Sequence, residues 1–145
     1  MNLCKWSSFP FFLLLSFATF AQHASQPTKE SSDDLRNGTV MFQIHDIEEK
    51  SDLWLERTAN LDYFLRYKEN KDEKIVKLAA REAKKIDMDF ASRFLKCQYE
   101  LPPSPEGCEA SLKLTLKGDV QEICGKDENK AQEILPFAKE LQKRF

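Results

Sequence analysis

The residues of this chain best able to do chemistry are His45 and three cysteines, Cys97, Cys108 and Cys124. A thiol becomes a nucleophile when a neighbouring base takes its proton, so Cys97 with His45 is the one pairing that could attack a carbonyl. His45 stands beside Asp46 and Glu48–Glu49, and the only other histidine, His23, lies in a polar stretch with little to position it. Spacings of 11 and 16 between the cysteines do not match a C-x₂-C zinc framework. Neither a glycine-rich phosphate loop nor a calcium loop is visible. The expectation is therefore no catalytic set, no metal, no cofactor and no enzyme, with the three cysteines as disulfide candidates.

That use of cysteine needs an oxidising compartment, and the N-terminus supplies the route to one. Lys5 precedes an uncharged run from Phe9 to Phe20 that ends at Ala21. A cation, an apolar stretch of about a dozen residues and a small exit residue are the features of a secretory signal peptide. The run is shorter than the roughly 20 helical residues that cross a bilayer, so no stable membrane insertion is expected. Cleavage after Ala21 leaves 124 of the 145 residues and removes Cys4, so three thiols remain. They permit one intramolecular bridge by any of three pairings, with one thiol left over for a core position or a disulfide-linked dimer. A bridge closing a loop of this size contributes about 3 kcal/mol. The mature chain has 24 acids against 21 cations and no basic stripe, which gives nucleic acid no footprint.

Three parts follow: residues 1–21 as leader, 22–39 as a disordered arm and 40–145 as a single small secreted domain. The arm is polar throughout and holds Asn37-Gly38-Thr39, a sequon that makes Asn37 the expected glycosylation site. From Val40 to Tyr67, Ile44, Ile47, Trp54, Leu61 and Leu65 fall on a helical stripe. Asn70 with Glu73 reads as the start of a second amphipathic helix, whose stripe is Ile75, Ala79, Ala83, Ile86, Phe90 and Phe94. A basic run, Arg81 to Lys85, lies on its polar side; it could meet a polyanion, and a solvated face is the simpler use. Leu101-Pro102-Pro103-Ser104-Pro105-Glu106-Gly107 must break the helix. Ser111 to Lys117 alternates as a strand does, and Gly118-Asp119 reads as a hairpin turn that places Leu114 opposite Ile123. Gln98–Leu101 is the candidate third strand, and Asp127 caps a last helix that contains Pro136. The expected class is α+β, helix-dominated: two amphipathic helices, a short disulfide-linked β-hairpin and a C-terminal helix.

Cys108 and Cys124, with 15 residues between them around a strand–turn–strand and a helix after, resemble the C-terminal half of a chemokine over 38 residues. The resemblance implies an extracellular, cytokine-like ligand that acts by protein–protein recognition of a receptor or other protein partner. A second likeness is to cystatin-like and cathelin-like domains, which carry two cysteines about ten residues apart, as Cys97 and Cys108 stand here. It implies a protease inhibitor or a host-defence prodomain, although residues 72–96 read as helix instead of that fold's strand-rich lead-in. A peptide-hormone precursor would be cut at the dibasic Lys84–Lys85.

Overall fold

A computed structural model describes residues 38–145. The expected leader, Asn37 and all of the arm but its last two residues lie outside the described residues. The order of elements is β1 (Thr39–Asp46), β2 (Ser51–Arg57), β3 (Tyr63–Glu69), β4 (Asp72–Leu78), α1 (Ala80–Leu95), β5 (Ala110–Leu116), β6 (Asp119–Cys124) and α2 (Glu128–Gln142). All six strands join one antiparallel sheet in the order β4-β3-β2-β1-β5-β6. Strand makes up 39% of the described residues, so the fold is α+β but not helix-dominated.

The correction falls mainly on residues 40–67, expected as helix and found as three strands. Phe42-Gln43-Ile44-His45, Leu53-Trp54-Leu55-Glu56 and Tyr63 to Tyr67 each alternate between the two faces of a strand. In short runs rich in aromatic and branched residues, some members always lie three or four apart as well, so a helical stripe can be drawn through them. Cross-strand pairing decides the matter: Phe42 sits opposite Leu55 and Leu55 opposite Leu65, so all three bury on one face. The supposed cap at Asn70 is instead a hairpin turn between Glu69 and Asp72, with Asn70 at φ 54°. Asparagine tolerates that left-handed region better than most residues. Residues 72–78 are accordingly β4, so four strands precede the first helix.

The second helix survives in shortened form. α1 starts at Ala80 and buries Ala83, Ile86, Phe90 and Phe94, four of the six stripe positions. Ile75 lies on β4 and is exposed. The helix runs into one wide i→i+5 turn over Lys96–Glu100, which buries Cys97 and occupies the place expected for a third strand. Leu101, before two prolines, is extended and ends it. The partner of β5 on its other side is β1, which no local signal indicated.

The hairpin forms, with its turn one residue earlier than expected. Lys117 and Gly118 are the central pair, at φ 49° and 95°, the two positive values a type I′ turn requires. The register is therefore Leu112 opposite Ile123 and Leu114 opposite Gln121. Asp127 does cap α2, accepting from the Lys130 backbone N–H. Pro136 lies inside α2 and removes one N–H from its ladder.

Both helices lie against one face of the sheet. Phe42 stacks on Phe90 at 4.3 Å between ring centroids, and Phe137 of α2 lies 6.0 Å from Phe90. Leu55, Leu65, Leu114, Ile123 and Ile134 close this core with no exposed surface. The result is a two-layer sandwich whose second sheet face carries no helix.

Candidate recognition face

Because strand residues alternate, the face opposite the helices is specified by the register. One row crosses all six strands as Glu122, Lys113, His45, Asp52, Lys68 and Glu73. The next row reads Val120, Thr115, Gln43, Trp54, Arg66 and Ile75. Opposite charges stand on adjacent strands in the first row, which favours pairing and discourages register slip. The second row has apolar ends: Val120 is 54% exposed and Ile75 46%.

Toward the β4 edge of the face is a buried charge cluster. Arg66 lies between two carboxylates, with Nη1 donating to Glu73 Oε1 at 2.7 Å and Nε 3.0 Å from Glu56 Oε2. The Nε contact is an ion pair without hydrogen-bond alignment, and Nη2 is buried without an acceptor among the described residues. Arg66 and Glu56 are 9% and 6% exposed. Burial at that level is expensive for either charge alone, so each holds the other in place. The guanidinium also lies over the Trp54 ring, 5.9 Å from its centroid. Gly38 belongs to the same corner, since a Cβ there would collide with the Glu56 side chain.

His45 belongs to this face. Its Nδ1 is 2.9 Å from Asp52 Oδ1, which also accepts from Gln43 Nε2 at 2.9 Å. Cys97 belongs to the helix layer on the other side of the sheet, fully buried. The sheet therefore keeps Cys97 and His45 apart. Burial, reinforced by Glu133, pushes the Cys97 thiol up to about 11. At pH 8 roughly one such thiol in a thousand is ionised, against about a quarter for an ordinary cysteine. Native protein should therefore resist iodoacetamide at pH 8, and non-reducing guanidinium should release one alkylatable thiol. Mass spectrometry reads the count, and rapid labelling of native protein would contradict the burial.

Cys108 and Cys124 form the bridge, with Cα atoms 5.6 Å apart, joining the loop just before β5 to the end of β6. Cys97 and Cys108, whose spacing carries the cystatin-like likeness, are not joined. With Cys97 fully buried, an interchain bridge through it would require local opening. No group of three metal-ligating side chains occurs among the described residues, and no helix among them is long and apolar enough to cross a membrane.

A second polar cluster ties the proline loop to α2. Ser104 donates to Asp127 Oδ2 at 2.9 Å, and Lys130 Nζ lies 3.6 Å from the same oxygen while 5% exposed. One carboxylate thus caps a helix, holds a loop and neutralises a buried lysine. The cap at Asp127 is legible in the sequence, whereas the buried Lys130 and the Arg66 cluster are not. A charged residue inside an alternating apolar run, as Arg66 is in β3, was the available signal.

No family model matches the chain, and no curated protein or solved structure is significantly similar to it. The class is set by topology alone: an α+β sandwich of one six-stranded antiparallel sheet and two helices on one face.

Proposed function

We propose that this protein is secreted and acts by protein–protein recognition through the uncovered face of its sheet, as an extracellular ligand or binding protein. The observation that carries the reading is the row Val120–Thr115–Gln43–Trp54–Arg66–Ile75. It sets Trp54, of a residue type that dominates binding hot spots, near the middle of a rigid surface with exposed apolar ends, beside the buried Arg66 that lies over its ring. Charged side chains in the adjoining row supply a polar rim. The leader-like N-terminus and the Cys108–Cys124 bridge support an extracellular setting.

The test is saturable binding of fluorescently labelled, disulfide-intact protein to cells. Trp54 is only partly buried, so Trp54→Ala should keep the fold by circular dichroism and weaken binding about tenfold or more. Binding that survives surface proteolysis of the cells, or is untouched by Trp54→Ala, would refute this reading.

A protease-inhibitor function is the second reading, favoured by the four-strand lead-in over Thr39–Leu78. Stoichiometric inhibition of a papain-type protease that is unaffected by Trp54→Ala would establish it in place of the first. The precursor reading is disfavoured by geometry, because Lys84–Lys85 lies in mid-α1 and a processing protease needs extended chain.

A further inference from the structure

β4 is one of the two edges of the sheet, and its outer side is open. Asn70–Lys71 is a two-residue turn, so Glu69 and Asp72 form its closing hydrogen-bonded pair. Such pairs alternate along an antiparallel ladder, so Asp72, Lys74, Val76 and Leu78 direct their main-chain groups to β3. The N–H and C=O of Glu73, Ile75 and Lys77 therefore point away from the sheet, and none has a backbone partner among the described residues. Neither helix overhangs this edge: the side chains from Asp72 to Ile75 and that of Lys77 are exposed. By alternation Glu73, Ile75 and Lys77 also lie on the helix-free face. An exposed isoleucine on a free edge is a template for a further strand.

We infer that β4 pairs antiparallel with β4 of a second copy of this chain, about a two-fold axis through Ile75, so that two sheets become one. The outward residues of the strand are self-complementary about that axis. Ile75 meets the partner's Ile75, and each Glu73 meets the partner's Lys77, with the free N–H and C=O of each pair turned toward each other. Arg66 occupies Glu73 Oε1, which leaves Oε2 for the lysine. On the helix side Lys74 falls opposite the partner's Val76, whose half-buried side chain its stem can cover. A slip of two residues loses the match by setting Glu73 or Lys77 against Ile75. A slip of four sets Glu73 against Glu73 or Lys77 against Lys77, which repel. The β6 edge offers nothing equivalent. Its outward residues are Val120 and Glu122, so its fullest symmetric pairing sets an apolar side chain against a carboxylate. Joining β6 to β4 of a next copy, the route to an open filament, places Glu122 opposite Glu73 whenever Val120 meets Ile75. In the two-fold dimer both helix-free faces lie on one side, their Trp54 rows joined through Ile75. The inference thus extends the recognition face without depending on it.

Sedimentation equilibrium of the full-length secreted protein, with its bridge intact, should show a concentration-dependent dimer and no larger species. Amide exchange resolved by NMR should slow at Glu73, Ile75 and Lys77 as protein concentration rises, while Val120 and Glu122 stay fast. Ile75→Lys, which brings like charges face to face on the axis, should weaken dimerisation about tenfold or more, and Ile75→Val should retain it. Ile75 is exposed and its N–H is not used in the ladder with β3, so the dilute lysine variant should keep the parent's circular dichroism and melting temperature. A protein that stays monomeric into the millimolar range, a dimer indifferent to Ile75→Lys, or protection appearing at Val120 and Glu122 instead would each overturn the assignment. Trp54→Ala should leave self-association unchanged, so a failure here is distinguishable from a failure of the recognition reading.

Discussion

Phe90→Ala should remove about 3–5 kcal/mol of stability, the loss expected when a fully buried aromatic ring is truncated. Phe90 has no exposed surface and sits where both helices meet the sheet, against Phe42 of β1, Phe94 of its own helix and Phe137 of α2. Truncation loses the transfer free energy of the ring. It also leaves a cavity that two helices and a sheet, each pinned by other contacts, cannot close. A domain of this size has about 5–15 kcal/mol in total, so the variant should unfold at a far lower urea midpoint, or fail to accumulate. Urea denaturation followed by circular dichroism measures it. Phe90→Leu, which keeps most of the volume, should recover more than half of the loss. A loss below about 1 kcal/mol for the alanine variant would mean that α1 does not pack on β1 as described.

Removing the bridge by Cys108→Ser with Cys124→Ser should cost about 3 kcal/mol, from the entropy returned to an unfolded chain freed of a loop with a sequence separation of 16. Freeing the unfolded state also exposes more surface, so the urea m-value should rise as the midpoint falls. The effect is specific to the pairing. Cys97→Ala removes a small buried side chain and should leave the m-value unchanged, whereas a bridge made by Cys97 would raise it in that variant. Peptide mapping without reduction gives the same answer chemically, as one Cys108–Cys124 linked pair with Cys97 free. The bridge ties β6, an edge strand with only β5 beside it, to the loop just before that partner. Its loss should therefore appear first as faster amide exchange in β6.

The two stability tests and the Trp54 binding test address separate parts of the molecule. Phe90 and the bridge hold the sandwich together, and Trp54 lies on the helix-free face. A variant that lost binding while keeping its melting temperature would locate function on that face without confusion with folding.

What the sequence by itself determined was whatever depends on neighbours along the chain. The existence of a hairpin turn at Gly118, though not its register, the alternation in β5, the Asp127 cap, the proline break and the apolar stripe from Ala83 to Phe94 are all encoded within a few residues. Only the tertiary structure decided the rest, because the deciding partners are far away in sequence. Whether Phe42 to Tyr67 was helix or meander turned on cross-strand partners such as Phe42 with Leu55, since the apolar spacing alone admitted both periods. Which two of three cysteines join was settled by the wide turn after α1 carrying Cys97 into the core while the hairpin brought Cys108 to Cys124. The burial of Arg66 and Lys130 followed likewise, since a charge is buried only where distant carboxylates, Glu56 and Glu73 or Asp127, are folded onto it.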